Sequence, residues 1–245
     1  MQDDWPIFIL SLAGDEQRRQ PLLDQLAEAG LEWRIILGVD GRRGLQEHCL
    51  ALIDREAASK RLGYAMVDAE FACALSHRQI YQTVLDEGLS GAVVLEDDAI
   101  LTPDFAAFLQ AGHHRVARIA LLDYRFGRAL LWQKRALGRW CAYRAAQRAT
   151  LTSGYSISRH GAEDLLAAAT PVSFVADWPI DLYEFGAELI VPRVVLHNPP
   201  GVGPSHLDAG RSTVSKRLGK DPMRYLRSEY WRCLLRRKLS RPVGR

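Results

Sequence analysis

Apolar residues fall along this chain in short continuous runs, separated by longer charged segments. That pattern predicts buried strands alternating with helices. Residues 6–12, PIFILSL, read as a first buried strand. From Asp15 to Ala29, Leu22, Leu23 and Leu26 recur at helical spacing among charges, and Gly30 follows as a stop. Residues 33–39, WRIILGV, predict a second strand ending at Asp40-Gly41. Strand, helix and strand within about forty residues is the spacing of a βαβ unit with a parallel sheet.

The same reading continues downstream. Residues 44–62 read as charged helix, and Asp68 to Glu87 as a longer one with Phe71, Leu75, Ile80, Val84 and Leu85 near one stripe. GAVVLEDD at 91–98 is a continuous apolar run of the kind a central strand carries. Pro103 and Asp104 open another helix, and IALLD at 119–123 is a strand with an acid at its tip. The basic stretch 125–150 predicts a hairpin or loops. LTSGYSIS at 151–158 predicts a strand leading into a helix over Arg159–Ala169. VADWPID at 175–181 reads as a loop, ELIVPRVVLH as a last extended segment and HNPPGVGPSH as a Pro/Gly loop. There is no internal repeat and no low-complexity linker. One mixed α/β domain over residues 1–215, followed by a basic tail over 216–245, is the economical organisation.

Composition narrows the class. With 245 residues, 48% hydrophobic and 25% charged, the chain has the makeup of an ordinary globular domain with a real core. No stretch approaches the roughly 20 apolar residues that span a bilayer. MQDDWPIFIL carries acids where a signal peptide carries bases, so a cytoplasmic location is expected. Cys49, Cys73, Cys141 and Cys233 form no CxxC pair and are expected as buried free thiols. The net charge of +3 is uneven: Lys216–Arg245 holds eleven Lys/Arg against two acids. A basic tail on an acidic body suits an anionic partner such as a membrane surface. Nucleic acid is not expected, because no recognised binding module accompanies the basic residues.

The three carboxylates Glu96, Asp97 and Asp98 repel one another, and core packing asks for none of them. In an open α/β sheet, ligands sit at the carboxyl ends of the strands. Alternation along a strand turns Glu96 and Asp98 to one side and Asp97 to the other. Two carboxylates so placed suit Mg²⁺ or Mn²⁺, which binds phosphate oxygens at the same time. An acidic turn capping the helix near Pro103 is the structural alternative.

The block CALSHRQIYQTVLDEGLSGAVVLEDDAIL at 73–101 closely resembles glycosyltransferase family 25, the lipooligosaccharide-type glycosyltransferases. It carries a Cys-x-x-Ser-His element (Cys73, Ser76, His77) leading into the Glu-Asp-Asp strand end. ILSLAGDEQRRQPLLDQL at 9–26, VDG at 39–41, SGYSISRHGAEDLL at 153–166 and VADWPID match in order, so the resemblance spans residues 7–211. It implies a GT-A-like nucleotide-diphosphosugar transferase fold, with a mixed, mostly parallel sheet flanked by helices. It further implies an inverting, metal-dependent transfer of a hexose, of galactose or glucose type, from a UDP-sugar. The acceptor it implies is a glycan or lipid-linked glycan of lipopolysaccharide or a related surface polysaccharide. Glu96 and Asp98 are then the metal pair, and Ser11, Arg18, Arg19, Asp40, Ser76, His77, Asp97, Ser153 and Tyr155 the donor-binding candidates. The family often has a basic residue just after the first Ser-Leu, where this chain has Ala13 and Gly14.

An inverting reaction needs a general base for the acceptor hydroxyl. Asp177 and Asp181 are the candidates, and the indole of Trp178 stacks on a sugar face or packs in the core. His197 and His206 flank the Pro/Gly loop, where a late histidine completes the metal shell or both are plain loop residues, the latter being the favoured reading. At 222–239 Arg alternates with Leu, Tyr and Trp, as in an amphipathic segment on an anionic membrane, here the inner face of the cell membrane. Two other readings compete. One is a non-catalytic glycan- or membrane-binding protein on a decayed transferase fold, against which the intact Glu-Asp-Asp argues. The other is a sugar nucleotidyltransferase, whose Gly-rich loop and lysine residues 9–20 lack.

Overall fold

β1 (Ile7–Ser11) is buried at all five positions, as a strand covered on both faces must be. The computed structural model describes residues 5–197 and 228–244. α1 (Glu16–Glu28) carries the chain back across the sheet to β2 (Trp33–Leu37), which pairs with β1 in parallel. The expected helix over 44–62 is two short ones, α2 (Glu47–Leu50) and α3 (Arg55–Leu62). α4 (Asp68–Asp86) then leads into β3 (Gly91–Glu96), which takes the other flank of β1. Strand order therefore reverses at β1, and a crevice opens at the carboxyl ends of β1 and β3. This is where open α/β sheets bind ligands.

Next come β4 (Ala99–Leu101), α5 (Phe105–Gln110), β5 (Ile119–Leu121), the hairpin β6 (Arg128–Leu137) and β7 (Trp140–Ala145), β8 (Gly154–Ser158) and α6 (Arg159–Ala168). α7 (Leu182–Phe185), β9 (Glu188–Val191), β10 (Val195–His197), α8 (Ser228–Leu239) and β11 (Arg241–Pro242) complete the described elements. Among the described residues nine strands form one sheet, ordered β11-β6-β7-β9-β5-β8-β3-β1-β2, with β10 and β4 as a separate pair.

The sheet is mixed and flanked by helices, but it is not mostly parallel. Three of its pairings are parallel and five antiparallel. β8 inserts antiparallel between β3 and β5, and the hairpin adds antiparallel strands beyond β9. Alternating apolar runs announce βαβ units, but they do not reveal a strand that enters the middle of the sheet from a distant part of the chain.

Alternate residues of β1 enter separate cores. Phe8 and Leu10 pack with Ile80, Tyr81 and Val84 of α4, whereas Ile7 and Ile9 pack with Leu22 and Leu26 of α1. The VDG turn explains its glycine: a Cβ on Gly41 would stand 2.6 Å from that of Ala72 and 2.8 Å from the Asp68 carbonyl oxygen. The start of α4 can approach the end of β2 only because that Cβ is missing.

Of the cysteines, Cys49 is buried as expected, while Cys233 is exposed on α8. No helix among the described residues is long and apolar enough to cross a membrane. The described part of the basic segment, 228–244, packs on the body: β11 pairs with β6, and Arg236 of α8 reaches Asp181 at 2.9 Å. His206, the Pro/Gly loop beyond His197 and the start of the basic stretch at 222–227 lie outside the described residues.

Candidate active site

At the carboxyl ends of β1 and β3, one arginine gathers two of the three acids. Arg18, in the first turn of α1, donates from Nε to Asp97 Oδ1 and from Nη2 to Asp98 Oδ2, both at 2.6 Å. Asp97 also accepts from Ser11 Oγ at 2.9 Å, and Arg19 Nη1 stands 3.3 Å from the same hydroxyl. The matched Arg-Arg pair thus lies on the crevice floor rather than on a solvated helix face.

Glu96 goes elsewhere. It accepts from Thr152 Oγ1 and from His77 Nε2 at 3.2 Å. The expectation that Glu96 and Asp98 share a side does not hold, because β3 ends at Glu96. Asp97 and Asp98 lie in the turn that follows, where strand alternation no longer applies.

Burial disfavours the charged form of Glu96, yet its pKa is lowered. The hydrogen bond and charge of His77, the Thr152 hydroxyl and the nearby Arg18 outweigh burial. A charged carboxylate only accepts, so Nε2 of His77 donates to it, while Nδ1 pairs with the Tyr155 hydroxyl at 2.9 Å. Tyr155 in turn bonds to Tyr81. A buried chain of Tyr81, Tyr155 and His77 therefore holds Glu96 from below.

Asp98 behaves oppositely. Burial and the charges of Glu96 and Asp97 raise its pKa despite Arg18. One guanidinium does not balance the negative charge collected here. A divalent cation would, and the all-oxygen donor set suits a hard ion. Asp98 and Asp97, held on the same guanidinium, fit such an ion. Glu96 lies beside Cys73 and His77, the three ligand atoms falling within 4.8 Å of one another.

Several expected donor-binding residues serve as supports. Ser76 is buried, donates to the Ala72 carbonyl at 2.7 Å and accepts from the Val39 amide at 2.8 Å, pinning α4 to the end of β2. Ser153 is buried and donates to Asp123 at 2.6 Å. Tyr155 is wholly buried. None of these three side chains offers a free surface to a donor. Asp40 is held by Arg42, which also reaches Asp15 at 2.9 Å.

The two base candidates separate. Asp181 N-caps α7 by accepting from the amides of Tyr183 and Glu184, and it pairs with Arg236, so its oxygens are occupied. Asp177 accepts only from the Leu151 amide at 3.2 Å among the described residues. Its pKa is raised by burial and then by the charge of Glu96. Leu151 and Trp178, on either side of this contact, both hold positive φ, +87° and +66°. Non-glycine residues take that conformation at a cost, and such strain gathers at functional sites. Trp178 is 1% exposed and lies edge-on to Tyr155 at 5.2 Å. It is a core residue and cannot stack on a sugar.

The raised pKa of Asp177 predicts a pH profile. A base works only deprotonated, so the acidic limb of kcat/KM is expected above the ordinary aspartate value of 3.8. Asp177→Asn should lower turnover by about 10²–10⁴-fold and abolish that limb. A variant that keeps wild-type turnover and profile would remove Asp177 from the base role. The same shift makes a favourable contribution to stability below pH 3.8, which is lost as pH rises through the folded-state value.

Sequence reasoning missed a second cluster. Asp123, fully buried at the tip of β5, accepts from His197 Nδ1 at 2.7 Å, Arg193 Nη1 at 3.0 Å and Ser153 Oγ. β10 pairs with β4 so that His197 stands opposite Ala99, the neighbour of Asp98. With Nδ1 fixed by a carboxylate, Nε2 is the ring atom left for a metal or a phosphate, a recurring arrangement at metal sites. The sequence offers two signals, the acid ending IALLD and His197 at the edge of the Pro/Gly loop, but nothing that joins them.

The family model and the sequence relatives point to one family. The model of glycosyltransferase family 25 (LPS biosynthesis protein) matches residues 4–183. A probable inactive glycosyltransferase 25 family member 3 of Rattus norvegicus is 31% identical over 107 residues, covering 42% of this chain and 19% of that protein. Procollagen galactosyltransferase 1 of Danio rerio is 29% identical over 171 residues, covering 66% of this chain and 28% of its own length. The chain thus spans less than a third of these relatives. Among solved structures, A197 from STIV aligns over 82% of this chain and 97% of its own with 13% identity, at a TM-score of 0.37, too loose to support any conclusion.

Proposed function

The chain belongs to glycosyltransferase family 25, and from that premise we propose that it transfers a hexose, of galactose or glucose type, from a UDP-sugar to a glycan acceptor with inversion, on a GT-A-like fold. The observation that carries this reading is the Glu96-Asp97-Asp98 strand end, set at the switch point of the sheet against Ser11 and Arg18. A lipid-linked glycan of lipopolysaccharide, lipooligosaccharide or a related surface polysaccharide, met at the cytoplasmic face of the membrane, is the acceptor class we assign.

In the reaction, the acceptor oxygen attacks the anomeric carbon from the side opposite the diphosphate. The carbon–oxygen bond to the diphosphate breaks, and UDP leaves with the electron pair. Asp177 takes the acceptor's proton. Asp98 with Asp97 would hold Mn²⁺ or Mg²⁺, whose positive charge would stabilise the leaving diphosphate. Arg18 keeps both aspartates in place, and Arg19 adds positive charge at the end of β1. The His77–Tyr155 chain holds Glu96 charged and oriented. The imidazole of His197, aimed by Asp123, is available to the metal or to donor phosphate.

Likeness to relatives named inactive favours a second reading, a non-catalytic glycan- or membrane-binding protein. Against it stands a charge-crowded carboxylate cluster that a protein without a cation to bind has no reason to retain. Titration of UDP by calorimetry, with Mn²⁺ and then with chelator, separates the two. Metal-dependent binding, weakened in His197→Ala, supports the transferase reading and leads to a panel of UDP-sugars. Absence of binding under both conditions overturns it.

A further inference from the structure

A helix on a globular body normally turns its apolar stripe inward. α8 does the reverse. Trp231, Leu235 and Leu239, four residues apart and so on one face, are 55%, 58% and 50% exposed. The opposite face holds the body: Arg236 pairs with Asp181 at 2.9 Å and lies 4.4 Å over the ring of Tyr183. Cys233 and Leu234 line a groove of about 370 Å³ against Ala146 and Ile180. Polar anchoring thus fixes the rotation of the helix and leaves its apolar stripe outward. Arg232 and Lys238 flank that stripe and are exposed, as are Arg237 and Arg241. α8 packs against β6, where Leu131 and Trp132 are also exposed.

We propose that the outward face of α8 docks the protein on an anionic lipid bilayer, with Trp231, Leu235 and Leu239 entering the headgroup boundary and Arg232 and Lys238 meeting lipid phosphates. Tryptophan and leucine on one face with cations beside them match a helix lying in the interface plane. The choice of bilayer rests on charge complementarity, since an apolar stripe bordered by arginine and lysine favours an anionic surface. α8 is tied through Asp181 to the loop carrying Asp177, so docking would bring the candidate base towards a membrane-borne acceptor. This deepens the reading of a lipid-linked acceptor and shares that premise. The docking test, however, contains neither donor nor acceptor, so transfer can fail while docking holds.

The experiment is co-flotation of the full chain with phosphatidylcholine vesicles, with and without phosphatidylglycerol, at low and high salt. The wild type should float with anionic vesicles at low salt and lose most binding without phosphatidylglycerol or at high salt. Arg232→Gln and Lys238→Gln should each weaken binding about fivefold. The triple variant Trp231→Ser, Leu235→Ser, Leu239→Ser should lose it while keeping the wild-type circular dichroism and melting temperature. Three results overturn the proposal: no flotation of the wild type, undiminished flotation of the folded triple variant, or a concentration-dependent dimer that the triple variant abolishes. The last would assign the stripe to a second copy of this chain.

Discussion

Exchange of Asp98 for Asn should remove sugar transfer while leaving the protein folded. Turnover is expected to fall by about 10²–10³-fold or more, the scale seen when a group that stabilises transition-state charge is lost. Asparagine keeps the size of the side chain and an oxygen for Arg18 Nη2, but not the charge. Stability should not suffer. The pKa of Asp98 is raised by burial and by the charges of Glu96 and Asp97, so folding costs its charged form more than its neutral one. Its contribution to stability is present below 3.8 and lost as pH rises through the folded-state value. Asp98→Asn should therefore melt at or slightly above the wild-type temperature near neutral pH. Metal-dependent UDP binding should disappear with activity. Transfer retained in this variant, or unchanged in chelator, would remove the metal from Asp98.

The second large effect falls on stability. Trp178→Ala should cost about 3–5 kcal/mol, the range for emptying the site of a large buried aromatic. For a domain of this size that lowers the melting temperature by about 10 °C. Trp178 is 1% exposed and packs edge-on against Tyr155, the residue that orients His77 and so Glu96. Its neighbour is Asp177. Activity should thus fall even below the melting range, through loosening of both the Glu96 support and the base. A variant that melts like the wild type would place Trp178 outside the core.

Much of the fold was legible because burial leaves a period in the sequence. The runs at 7–11 and 91–96 are apolar at nearly every position, since helices cover both faces of these strands. The stripe of α4 and the glycine after it marked that helix to within one residue. The carboxylate block was legible for the opposite reason: three adjacent acids after such a run have no packing purpose. The Arg18–Arg19 spacing was also informative, because a helix fixes which of its residues reach one end of the neighbouring strand.

The contacts within the site were decided by the tertiary structure. Whether Glu96 or Asp97 shares a side with Asp98 depends on where β3 stops, because strand alternation ends with the strand. Ser76, Ser153 and Tyr155 look like ligand-binding residues in a string of letters, and only their burial and occupied hydrogen bonds make them supports. Asp123 and His197 lie 74 positions apart in the chain. No local pattern joins them, because their contact is made by the pairing of β10 with β4 and by the place of β5 in the sheet. The sequence by itself determined the strands, the helices and the charge at the strand end, because these follow from local periodicity and from like-charge repulsion. Which acids meet on Arg18, which aspartate is tied up as a helix cap and which face of α8 looks outward are decided only in the tertiary structure, because each depends on contacts between segments that no local period links.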